Sequence, residues 1–171
     1  MMSRRGIGGR GNIVNNIMQT LAYDEHLMRL LVYPYQDENG EFVDCLDPEL
    51  PNIVGSDMHH EYIQHHFSKA LKQTDINSIK TSKIFIHLGR KHSIYNNHLL
   101  SKQELIVDVI THIDFEDQDA RLSDLLDRID ELLVHQELTM GKADISTPIP
   151  YEAQREYYRY QLKYLVWVRK S

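Results

Sequence analysis

The sequence predicts an α+β fold: a small antiparallel or mixed β-sheet with helices packed on one face, plus a flexible N-terminal arm and a long loop. Three observations predict it. Glu104 to His112 is a run rich in β-branched residues, Tyr157 to Val168 alternates in polarity, and Arg121 to Leu133 carries leucines at helical period. The order helix, helix, strand, strand, helix, strand, without internal repeats, fits helices laid on one sheet face. The chain has 171 residues, 42% hydrophobic and 26% charged, enough for one domain with a buried core. The expected organisation is an arm over residues 1–11 and a single domain over 12–171.

The arm carries four of the eight glycines, at positions 6, 8, 9 and 11, interleaved with Arg4, Arg5 and Arg10. Glycine loses much backbone entropy on ordering, so a mobile segment is expected. It holds no G-x-x-x-x-G-K-[ST] and is not a phosphate loop. Asn12 is a candidate cap for a helix over 12–32, with Ile13, Ile17, Leu21, Leu27, Leu30 and Leu31 on its apolar face; Pro34 stops it. Residues 33–55, with Pro34, Pro48, Pro51 and Gly55, read as a long loop with a short hairpin across Asn39-Gly40. A loop of this length is uncommon unless it has a role.

Ser56 or Asp57 is expected to cap a second helix reaching Gln73, its apolar face formed by Met58, Tyr62, Phe67, Ala70 and Leu71. Lys83 to Leu88 reads as a strand and Gly89 to Asn97 as a turn-rich break. In Glu104 to His112, Leu105, Val107, Val109 and Thr111 fall on one face, and Ile106, Asp108 and Ile110 on the other. Both faces are partly apolar, which predicts a central strand with something packed over it. A helix from Asp119 to Glu137 presents Leu122, Leu125, Leu126, Ile129, Leu132 and Leu133 as one stripe. From Tyr157, Tyr158, Tyr160, Leu162, Tyr164, Val166 and Val168 share one face, and Arg159, Gln161 and Lys163 the other. Alternation with bulky aromatics favours a long strand over an amphipathic helix.

The net charge is −6, which excludes a chain-wide basic surface for nucleic acid. The charge is unevenly spread. Asp37 to Glu49 holds six acidic residues and no base. Asp114 to Glu131 holds eight acidic residues against Arg121 and Arg128, and Lys69 to Lys102 holds seven bases against Asp75. Such stretches are either solvated faces or complementary faces between copies of the chain. No apolar run approaches the ~20 residues of a membrane-spanning helix. The absence of a leader and the single cysteine, Cys45, argue for a chain made and kept in a reducing compartment.

Ten histidines raise the question of a metal. In His59-His60-Glu61-Tyr62-Ile63-Gln64-His65-His66, His60 and His65 are five apart, ~140° around a helix at ~100° per residue. His59 and His66 share a face but lie ~10.5 Å apart along the axis, too far for one ion. Neither G-x-S-x-G nor an Asp or Glu two positions before a lysine occurs. No catalytic, cofactor-binding or metal residue is therefore expected, and the chain is not expected to be an enzyme.

The strand Glu104 to His112, the acidic turn into Arg121-Leu122-Ser123-Asp124-Leu125-Leu126-Asp127-Arg128-Ile129-Asp130-Glu131-Leu132-Leu133, the linker with Gly141 and Pro148, and the closing strand Tyr157 to Tyr164 together resemble the tail terminator and head–tail joining proteins of tailed bacteriophages. The resemblance covers residues 80–169 and rests on pattern and order. It implies a structural virion protein of the phage neck, made in the host cytoplasm. It further implies a homo-oligomeric ring, commonly a hexamer, between tail tube and capsid connector. Its partners would be its own copies, other neck and tail proteins, and DNA passing through the ring, with no cofactor and no membrane. The candidate subunit or partner contacts are Arg4, Arg5, Arg10, Asp124, Asp127, Arg128, Glu131, Arg159 and Lys163. The first eighty residues depart from the pattern. The alternative is a nucleic-acid-binding or regulatory module using the basic N-terminal arm (Arg4, Arg5 and Arg10) and the basic stretch from Lys69 to Lys102.

Overall fold

A computed structural model describes residues 10–69, 81–95, 99–134, 144–145, 149–151 and 156–169. Helix α1 spans Arg10–Ala22 and α2 Glu25–Val32. The expected single helix is thus two, because Asp24 takes an extended conformation and its carboxylate accepts from the Leu27 N–H at 2.8 Å, capping α2. Arg10 and Gly11 belong to the first turn of α1, not to the arm, and Asn12 lies inside the helix rather than capping it. Residues 1–9 of the expected arm lie outside the described residues. The apolar positions are as expected: Ile17, Leu21 and Leu27 are fully buried.

Within 33–55 a short hairpin closes over Asn39-Gly40, with Gln36 bridging Phe42 and Gly40 at φ 82°. Helix α3 is only His59–His66, with Met58 rather than Ser56 or Asp57 at its cap. The chain leaves it at Phe67, which pairs in parallel with Ile84 as strand β1 (Phe67–Ser68) against β2 (Lys83–Ser93). A side chain expected on the helix face therefore lies in a strand; Ala70, Leu71 and Gln73 fall outside the described residues. β2 also runs on through the expected break at Gly89. The register shifts between Leu88 and Lys91, so a bulge stands where a turn was expected.

Strand β3 (Leu100–His112) pairs antiparallel with β2 and with β6 (Tyr157–Arg169) and is central, as its two apolar faces predict. Short β4 (Asp144–Ile145) and β5 (Ile149–Tyr151) pair with the outer side of β6. The sheet is mixed, with order β1-β2-β3-β6-β4. After β3 the chain forms α4 (Ile113–Asp119), turns at Ala120 in the left-handed conformation (φ 52°), and enters α5 (Arg121–Val134). The leucine-stripe helix thus starts at Arg121 rather than Asp119, and residues 135–137 lie outside the described residues.

Helices α1 and α5 lie on the face carrying Ile84, Ile86, Leu105, Val107, Val109, Leu162, Tyr164 and Val166. Leu122, Leu125, Ile129 and Leu133 of α5 close the core against it. Each such side chain, fully buried, contributes about 1.5–3 kcal/mol. The second sheet face carries Phe85, Ile106, Asp108, Ile110, Arg159, Gln161, Lys163 and Trp167 by register. Phe85 and Asp108 are fully buried, so that face is closed at one end and opens toward the β2–β3 turn.

Candidate functional site

The charged side chains that are buried do one kind of work: they hold segments together. Glu25 and Arg29, one turn apart on α2, form an ion pair at 2.8 Å. Glu25 also accepts from the Ile53 and Val54 N–H groups at 2.8 and 2.7 Å. The Arg29 guanidinium donates to the carbonyls of Asp47 (2.6 Å) and Leu50 (2.9 Å) and to Asn52 Oδ1 (2.9 Å). Tyr33 Oη donates to the Pro51 carbonyl at 2.6 Å. The far half of the long loop is therefore clamped to α2. Burial pushes the Glu25 carboxyl up, but the Ile53, Arg29 and Val54 hydrogen bonds outweigh it and leave the group below its usual range. Ahead of the clamped stretch, the same loop carries Phe42 at 66% exposure and Leu46 at 38%, framed by its acidic residues. Cys45 is buried beneath it.

Two arginines fix the helix junctions. Arg121, 1% exposed, donates to the Tyr33 carbonyl and lies 4.7 Å over the Phe115 ring. Arg128 grips both oxygens of Asp24 at 3.0 and 2.7 Å and pairs with Glu131 at 2.7 Å. Burial opposes ionisation of Asp24, yet the Arg128 and Leu27 hydrogen bonds hold its pKa down. On the second sheet face, buried Asp108 Oδ1 accepts from Arg159 Nη2 (2.9 Å), Arg159 Nε (3.2 Å) and Gln161 Nε2 (3.0 Å). Among the described residues Asp108 Oδ2 has no hydrogen-bond partner, and His87 Nδ1 stands 3.6 Å from it, beyond hydrogen-bond reach.

The histidines of α3 point in different directions. His59 Nε2 meets the Ala22 carbonyl at 2.8 Å, His60 bonds Gln64, and His66 Nδ1 donates to the Ser82 carbonyl at 2.8 Å. Burial pushes the His66 pKa down to about 4, so the ring is neutral at pH 7. Among the described residues no group of three or more His, Cys, Asp or Glu could hold a metal. An open cleft of about 780 Å³ lies beside His66, lined also by Leu31, Pro34, Glu61, Tyr62 and His65.

The match to known families decides the lineage: residues 24–166 match the family described as YomW. The chain belongs to the YomW family. That family's name is phage-derived, and the chain is phage-associated. No curated protein matches it. The match in this YomW-family chain begins at the α2 cap and ends in β6, so it takes in the clamp, α5 and the sheet.

The contact residues expected from sequence separate in this YomW-family fold. Asp124, Asp127 and Glu131 lie exposed on the outer side of α5. Arg128 and Arg159 are engaged within the chain, by Asp24 and Asp108. Lys163 is half-buried on the second sheet face, Arg10 opens α1, and Arg4 and Arg5 lie outside the described residues. Sequence reasoning missed Glu25, Arg29, Asp24 and the partners of Asp108. The i,i+4 spacing of Glu25 and Arg29 signals their pairing, but nothing local reports that a loop some twenty residues away fills the remaining hydrogen bonds.

Proposed function

We propose that this YomW-family chain is a structural virion protein of the phage neck, a tail terminator or head–tail connector subunit that forms a homo-oligomeric ring and catalyses no reaction. The observation that carries the reading is the clamped loop. The Glu25–Arg29 pair holds residues 47–54 of a long surface segment in one shape, and the hairpin that precedes them, bridged at Gln36 and Phe42, presents an exposed Phe42 within an acidic frame. A preorganised loop with an apolar anchor suits contact with another protein, because little entropy is lost on docking. The acidic outer side of α5, with Asp124, Asp127 and Glu131, adds a second surface, and a ring uses two different patches per subunit. The phage association of the family supports the same class.

The test is sedimentation and negative-stain imaging of the purified full-length protein, together with its detection in purified particles. A concentration-dependent oligomer that closes into rings, weakened at least tenfold by Phe42→Ser at unchanged thermal stability, is expected. A strict monomer at high concentration that is absent from particles refutes the reading.

A further inference from the structure

The three long strands contain seven lysines and arginines against two acidic residues, Glu104 and Asp108. The chain as a whole carries −6, so the strands stand at +5 and everything else at −11. Asp108 is neutralised by Arg159 at the closed end of the second sheet face. Toward the β2–β3 turn that face opens. One cross-strand row there is His92, Lys102 and Trp167; two rows on come His87, Ile106 and Lys163. Arg90 stands exposed in the bulge at its edge. Glu104 is the one acid of this open end among the described residues. Its Oε2 accepts from the Arg90 N–H and its Oε1 from His92, both at 2.9 Å, which holds its carboxyl below the usual range. The carboxylate thereby orders the cationic edge. Lys102 Nζ lies 5.0 Å over the Trp167 ring.

A strand face carrying an aromatic ring and two imidazoles, bordered by cations and backed by helices on its other side, has the composition that binds unpaired nucleotides: cations take phosphates and aromatic rings take base faces. We propose that this open end of the sheet binds single-stranded nucleic acid, with Arg90, Lys102 and Lys163 at the phosphates and Trp167 stacked on a base. The binding does not require the ring. It shares Arg90 and Lys102 with the basic stretch expected from sequence, but it needs no arm and adds Lys163 and Trp167 of β6.

Trp167 is the only tryptophan in the chain, so its emission reports this face alone. The experiment titrates full-length protein with an oligo-dT of about twelve nucleotides, following tryptophan emission and the anisotropy of a labelled strand. Saturable quenching is expected at 20 mM salt. Three phosphate contacts at a slope of ~0.7 each imply that affinity falls about 20-fold between 50 and 200 mM salt. Lys102→Glu with Lys163→Glu should abolish binding, and each alone should lower the salt slope by roughly 0.7, while Asp127→Ala changes nothing. Both lysines are partly exposed, and the Lys→Ala pair, expected to weaken binding at least tenfold, covers any folding defect in the reversed variant. Absence of quenching and anisotropy change at 20 mM salt overturns the proposal. So does loss of binding on Arg4→Glu with Arg5→Glu but not on the strand substitutions, or equal competition by a duplex of the same length.

Discussion

Acidification should weaken this fold chiefly through one side chain, His66, and the size of its share follows from its burial. His66 is 5% exposed, hydrogen-bonded through Nδ1 to the Ser82 carbonyl, and its pKa falls from 6.5 to about 4 in the folded protein. The unfolded chain therefore takes up the proton first as pH drops. The stability is fully present above about pH 6.5 and is lost progressively down to about pH 4. A shift of that size amounts to about 3 kcal/mol when complete and about 2 kcal/mol at pH 5. His65 is depressed in the same direction by burial and by Lys83, and adds to the loss. Asp24 and Glu25 are also depressed, but carboxylates whose ordinary values are 3.8 and 4.5 release their stabilisation mainly below pH 5. The window from pH 7 to 5 thus reports histidine. Urea unfolding at 25 °C across that window should show the loss in the wild type. In His66→Gln, whose amide can still donate to Ser82, the His66 share should vanish. Equal pH slopes in the two proteins would refute the reasoning, as would an NMR titration placing His66 near 6.5.

Two further outcomes follow from the same contacts. Arg29→Ala leaves the Asp47 and Leu50 carbonyls without their donor, while Glu25, a third exposed, keeps the Ile53 and Val54 N–H groups; the loss should be about 1.5–3 kcal/mol, read by urea unfolding and by new proteolytic cleavage within 44–52. Gly89→Ala places a Cβ 2.5 Å from Glu104 Oε2 and 2.8 Å from Ile106 Cδ1, and should cost about 1–3 kcal/mol in the same assay; no measurable change would show that the bulge can relax.

The elements legible in the sequence are those whose pattern is local. The alternation from Tyr157 produces β6, and the doubly apolar run around Val107 produces a central strand, because period-two burial is written residue by residue. The leucine stripe of α5 is legible for the same reason. The errors arise where a distant partner decides. Phe67 fits a helix face by spacing but pairs with Ile84, and Gly89 looks like a turn but sits in a bulge because β3 continues alongside it. Ala120 adopts a left-handed conformation that its identity does not announce. Of the contact residues, spacing identifies the exposed side of α5 but cannot tell Arg128, engaged by Asp24 over a hundred residues away, from its exposed neighbours.

The division of charge between sheet and shell is not required by the fold. The core needs apolar residues on one sheet face, and solubility is served as well by interspersed signs. Concentrating positive charge on the strands while α5 and the loop stay acidic gives each subunit two unlike sides. Unlike sides have two uses that compete for the same lysines. If copies associate by seating the acidic side of α5 on a neighbour's strands, an oligonucleotide will displace the neighbour, and added single strand will dissolve the assembly. If association instead runs through Phe42 on the clamped loop, the strands stay open in the ring, and nucleic acid and self-association will be additive. Measuring sedimentation with and without oligo-dT separates the two arrangements. The position of Phe42, on a hairpin that pairs with none of the sheet strands among the described residues, favours the additive one.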